Sequence, residues 1–91
     1  MPLVKVRVFF ELFNKMQQDE LYINARNPKG LIDNIIRKYG DDMKSTFFNG
    51  DSLRRYFLIY VNGKPINYTQ NYLMPLKEGD VVLLIPPVGG G

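Results

Sequence analysis

Hydrophobic and polar residues alternate with period two over residues 3 to 10, Leu-Val-Lys-Val-Arg-Val-Phe-Phe. Alternate positions of a strand share a face, so Val4, Val6, Val8 and Phe10 fall on one side and Lys5, Arg7 and Phe9 on the other. The pattern predicts a half-buried strand. After a polar connection over residues 14 to 19, Glu20-Leu-Tyr-Ile-Asn24 predicts a second short strand, antiparallel to the first across a longer loop. The period then lengthens. Leu31, Ile32, Ile35, Ile36 and Tyr39 recur at helical spacing, Asn27 is placed to cap the helix, Pro28 suits its first turn and Gly40 stops it. One stripe of this helix is apolar and must face the sheet.

Residues 41 to 48 suit a short second helix, with a loop at Asn49-Gly50-Asp51-Ser52. The end of this segment, up to residue 55, stays open. Residues 56 to 61 form an aromatic and β-branched run ending at Asn62-Gly63, a dipeptide suited to the positive φ values of a type I′ hairpin turn. Lys64-Pro65-Ile66-Asn67 returns from that turn as a short edge piece, because Pro65 cannot donate to a ladder, and residues 68 to 74 continue as an irregular connection. A turn at Leu76-Lys77-Glu78-Gly79-Asp80 leads into Val81-Val82-Leu83-Leu84-Ile85. This run lacks polar alternation, so it reads as a central strand with both faces covered or one face offered to a partner. Pro86-Pro87 ends it.

The order β, β, α, a short helix, β, turn, β suits an α+β chain, with a mixed sheet of about four to five strands packed on one main helix. That is a β-grasp, or ubiquitin-like, arrangement. The expected organisation is a β-grasp domain over residues 1–85 and a flexible tail, Pro86-Pro87-Val88-Gly89-Gly90-Gly91. A single helix covers only one sheet face. The alternation turns Val4, Val6, Val8, Phe57, Ile59, Val61, Val82 and Leu84 toward the helix. Phe9, Leu58, Tyr60, Leu83 and Ile85 are left on the opposite face, a patch of the kind that marks a partner site.

The chain has 91 residues, 45% of them hydrophobic and 23% charged, which suits one domain with a modest core. No apolar run approaches the roughly 20 residues needed to cross a bilayer. The N-terminus enters a charged strand pattern directly, with no basic region and apolar stretch of a signal peptide, so a cytoplasmic protein is expected. There are no cysteines and no histidines, which removes thiol nucleophiles, disulfides, the usual zinc sites and the commonest general base. The net charge is +3, but the basic residues are scattered, with only the pairs Arg37-Lys38 and Arg54-Arg55 adjacent, so no nucleic-acid partner is expected. Lys5, Arg7, Arg54 and Arg55 read as rim charges that complement an acidic partner. The acidic pairs Asp19-Glu20 and Asp41-Asp42 do not make a catalytic dyad, because sequence neighbours do not face one site.

Residues 74 to 91, Met-Pro-Leu-Lys-Glu-Gly-Asp-Val-Val-Leu-Leu-Ile-Pro-Pro-Val-Gly-Gly-Gly, resemble the sulfur-carrier branch of ubiquitin-like proteins, most closely the small subunit of molybdopterin synthase (the MoaD type). That family similarly carries a Pro-Leu-x-x-Gly-Asp turn, an apolar last strand, a Pro-Pro-Val step and a terminal Gly-Gly. Weaker matches cover Val-Arg-Val-Phe-Phe, the helix from Pro28 to Gly40 and Val61-Asn62-Gly63. The family's diglycine falls on Gly90-Gly91, which leaves Gly89 as a departure. The ending is also similar to thiamine-pathway carriers (the ThiS type) and to archaeal small modifier proteins.

The resemblance implies a carrier without catalytic residues of its own. An adenylating, ubiquitin-activating-like enzyme of the MoeB/ThiF type would use ATP to activate the carboxylate of Gly91 and convert it to a thiocarboxylate; the carrier itself binds no cofactor. Sulfur would then pass to molybdopterin, in molybdenum cofactor biosynthesis, within a heterotetramer with a large subunit of the MoaE type. Alternatives are sulfur delivery to thiamine or tRNA, a modifier conjugated to lysines, and an interaction module with a passive tail. Gly89 and Gly90 suit passage through a narrow channel, because glycine lets the backbone approach closely, while Pro86, Pro87 and Val88 form the base of the tail.

Overall fold

Val4, Val6 and Val8 leave β1 (Leu3–Val8) on one side and are fully buried, as the alternation predicts. The computed structural model describes residues 1–87. β1 pairs antiparallel with β2 (Glu20–Asn24), placing Val4 opposite Ile23 and Val6 opposite Leu21. The connection between them is not simply polar. It contains α1 (Glu11–Met16), whose Leu12 and Met16, one helical turn apart, are both buried. Six residues carry too little periodicity for such a helix to stand out in sequence.

Phe10 is a second correction. It does not join Val4, Val6 and Val8 in the core but is 54% exposed. The strand ends at Val8, and Phe10 turns the chain into α1 at φ 55 and ψ −123. Glycine occupies this region readily, whereas a phenylalanine there carries strain of order 1–3 kcal/mol.

α2 (Pro28–Tyr39) starts and stops where its cap residues place it. The Asn27 side-chain oxygen accepts from the Gly30 N–H at 2.8 Å, Pro28 fills the first turn, and Gly40 ends the helix at φ 106. Leu31, Ile32 and Ile35 are buried against the sheet's inner residues in one core. The open segment after α2 resolves into a 3₁₀ turn (Asp41–Met43), α3 (Lys44–Phe47) and a small hairpin of β3 (Phe48–Asn49) with β4 (Ser52–Leu53). Gly50, at φ 66, allows that hairpin to turn. Met43 and Phe47 join the core.

β5 (Leu58–Val61) begins later than the aromatic run suggests, because Tyr56 sits at φ 65 and is 76% exposed. Asn62 and Gly63 both have positive φ, 52 and 83, as the type I′ turn requires, and β6 (Lys64–Pro65) is the expected edge piece. The stretch after it is not irregular throughout but holds one helical turn, α4 (Tyr68–Asn71). β7 (Val81–Ile85) lies at the centre of a five-stranded sheet of order β2-β1-β7-β5-β6. It runs parallel to β1 and antiparallel to β5. This is a mixed α+β sheet of the β-grasp type.

A side-chain clamp fixes the turn that launches β7. One Asp80 carboxylate oxygen accepts from the Lys77 amide at 2.8 Å and the other from the Asn62 side chain at 2.9 Å. The Asn62 side-chain oxygen in turn accepts from the Val81 N–H at 2.9 Å. Asn62 and the Lys77 amide hold the Asp80 carboxyl below the usual carboxylate range. A depressed folded-state value contributes stability above the ordinary carboxylate pKa, and that contribution is lost as pH falls through the folded value. Asp80→Asn should therefore lower the melting temperature at neutral pH, and the deficit should shrink toward zero in acid. Thermal melts of both proteins across that range check the sign; a deficit that grows in acid would refute it.

Candidate functional site

The tail begins at the end of the central strand. β7 is held on both sides, with Leu84 paired to Val8 of β1 and to Ile59 of β5. Pro86, just beyond it, is fully buried and Pro87 is half-buried, so the base of the tail is seated on the domain. Val88, Gly89, Gly90 and Gly91 lie outside the described residues. Counted from Pro87, five residues span at most about 17 Å.

The expected docking residues share one side of the sheet. Leu58 stands opposite Ile85, and Tyr60 opposite Leu83, with Pro65 continuing the row on the other side of Tyr60. Leu58 is 45% exposed, while Tyr60, Leu83 and Ile85 are half-buried. Phe9, also half-buried, follows the last paired residue of β1. The segment after α2 does not cover this face; it packs beside α2 and sends Met43 and Phe47 into the core.

The other half of the same face is charged. Arg7 lies between Glu20 and Leu83 in register, and Lys5 between Tyr22 and Val81. Lys5 reaches Glu20 at 3.4 Å and Arg7 reaches it at 4.0 Å. Exposed pairs of this kind contribute little to stability, but they give the face an apolar side on β5 and β7 and a charged side on β1 and β2.

The surface also holds residues beyond the expected five. Tyr22, 58% exposed, belongs to the face by the same alternation that buries Leu21 and Ile23. Phe10 and Phe13 are exposed at the end of the sheet where β1 and β7 finish together. Only the unexpected turn at Phe10 puts them there, and no periodicity announces it. Among the described residues no group of three or more His, Cys, Asp or Glu is placed to hold a metal. Among the described residues no helix is long and apolar enough to cross a membrane.

Comparison with known proteins gives a consistent result. The ThiS family matches residues 6–91. Among solved structures, the small archaeal modifier protein 1 of Methanosarcina acetivorans is 28% identical, with a TM-score of 0.83 over 100% of this chain and 98% of that one. A putative molybdopterin converting factor, subunit 1, from Pyrococcus furiosus is 26% identical, with a TM-score of 0.73 over 97% and 100%. Subunit 1 or 2 of the molybdopterin-converting factor complex from Helicobacter pylori 26695 is 30% identical, with a TM-score of 0.60 over 98% and 99%. No curated protein matches the chain.

Proposed function

Because the chain belongs to the ThiS family, whose ubiquitin-like members are small sulfur carriers and modifiers rather than catalysts, we propose that it is a cytoplasmic sulfur carrier working through the carboxylate of Gly91. A carboxylate is a poor electrophile and needs activation. One carboxylate oxygen attacks the α-phosphorus of ATP on a partner of the MoeB/ThiF type, and pyrophosphate leaves. A hydrosulfide equivalent held by the partner system then displaces AMP, leaving a terminal thiocarboxylate. With a large subunit of the MoaE type, the thiocarboxylate sulfur passes to the molybdopterin precursor, and water returns the Gly91 carboxylate. The observation that carries this reading is the family match running through the glycine ending to residue 91. The buried Pro86 supports it, since it fixes where the tail departs.

The likeness to an archaeal modifier protein over the whole chain favours one second reading, conjugation through Gly91 to lysines of target proteins. Both readings pass through the same adenylate. Intact mass spectrometry of the protein recovered from its own host separates them: a carrier shows a terminal sulfur in place of oxygen, and a modifier shows larger adducts joined by isopeptide bonds. A terminus unmodified under every growth condition would leave the tail passive and refute both.

The docking face extends the proposal to Phe9, Leu58, Tyr60, Leu83 and Ile85. Tyr60 sits in the middle of the apolar row, between Leu83 and Pro65. Tyr60→Asp is expected to weaken binding to the activating enzyme at least about tenfold, the effect of placing a charge in the dry centre of an interface. Titration calorimetry measures the loss, and circular dichroism should show the fold retained. Unfolding of the variant would instead place Tyr60 among the core residues.

A further inference from the structure

On the helix side of the molecule, away from the open sheet face, α2, the β3–β4 hairpin and the α4 turn enclose a cleft of about 380 Å³. Its walls are aromatic: Phe48 meets Tyr68 edge-on at 6.2 Å, and Tyr68 meets Tyr72 at 6.0 Å between ring centres. Its charged groups are Lys29, Asp33 and Asp51. Lys29 donates to Asp33 at 2.9 Å, one helical turn away, so these two charges are matched within the cleft. Asp51, exposed near the tip of the hairpin, makes no ion pair among the described residues. The cleft therefore carries one surplus carboxylate beside three π faces, in a chain whose net charge is +3.

From this juxtaposition we propose that the cleft binds an arginine side chain of a partner peptide, its guanidinium stacked on Tyr68 and Tyr72 and paired with Asp51. Arginine fits better than lysine because its planar, weakly hydrated head stacks on aromatic rings while its fork still pairs with a carboxylate. A volume near 380 Å³ suits one long side chain with part of its backbone. Burial, with Asp33 and Tyr72 nearby, pushes the Tyr68 phenol up to about 12, so this ring stays neutral at any physiological pH. The cleft is built by α2, the β3–β4 hairpin and the α4 turn, apart from the exposed row on β5 and β7.

The test uses the whole chain, labelled with 15N, titrated with acetyl-Leu-Arg-Leu-amide and with the same peptide carrying citrulline, which keeps the shape and removes the charge. Saturable shifts are expected at the amides of Lys29, Asp51, Tyr68 and Tyr72, with the citrulline peptide at least about fivefold weaker. Asp51→Asn lies on an exposed turn away from the core; it should weaken the arginine peptide several-fold and leave ATP-dependent charging of the tail unchanged. Tyr72→Ala, at a partly exposed position, should do the same. Equal binding of both peptides, shifts confined to the open sheet face, or no saturable shift would each overturn the proposal.

Discussion

A chain carrying two extra residues after Gly91 is expected to form no thiocarboxylate when incubated with its activating enzyme, ATP and a sulfur donor. The reason is chemical before it is structural. Activation requires a free carboxylate at the end of the glycine run, and an amide in that place offers only a neutral, weakly nucleophilic carbonyl oxygen and cannot become an acyl adenylate. Appended residues would also carry side chains past Gly89, Gly90 and Gly91, whose lack of side chains is what lets a backbone approach closely. The domain itself should be indifferent, because Pro86 anchors the base of the tail ahead of the change. Circular dichroism and melting temperature should therefore match the parent while mass spectrometry shows complete loss of charging. Charging of the extended chain without prior trimming would sink the assignment of Gly91.

Phe47→Ala is expected to cost about 3–5 kcal/mol of unfolding free energy, the usual range for deleting a fully buried aromatic ring. In a domain whose total stability is of order 5–15 kcal/mol, that leaves a protein close to unfolding at 37 °C. Phe47 is completely buried at the end of α3, its ring centre 5.0 Å from Phe57. Removing it strips contacts from Phe57 and from the segment that anchors the β3–β4 hairpin. Phe47→Leu, which conserves most of the volume, should cost under about 1.5 kcal/mol. Urea denaturation of the two variants measures both numbers. A loss below about 1 kcal/mol for Phe47→Ala would mean that this segment does not pack as described.

Most of the framework was legible in the sequence because its signals are local and redundant. The alternation of Val4, Val6 and Val8, the cap at Asn27 with Gly40 at the other end, and Asn62-Gly63 each predict one element, and each is found. The run Val81-Val82-Leu83-Leu84-Ile85 announced a central strand because its side chains are buried on one face and half-buried on the other, which leaves no position needing a polar residue. What escaped was short or depended on distant contacts. α1 and α4 have too few residues to display a period, and the turn at Phe10 has no signal, since the sequence puts phenylalanine where glycine is ordinarily expected. Of the site, the placing of Leu58, Tyr60, Leu83 and Ile85 on one face of β5 and β7 was readable from alternation alone. The aromatic cleft was not, because Lys29, Asp51 and Tyr68 are brought together only by the packing of three separate elements.

The central claim is that Gly91 is where sulfur is carried. Incubating the purified chain with its host's adenylating enzyme, ATP and a sulfide donor, then measuring intact mass and the mass of the C-terminal peptide, tests it directly. Sulfur carried on Gly91 requires an ATP-dependent gain equal to the difference between sulfur and oxygen, located on Gly91 and absent when ATP is withheld. An unchanged mass in the presence of an enzyme proven active on another carrier, or a gain located elsewhere in the chain, would contradict it.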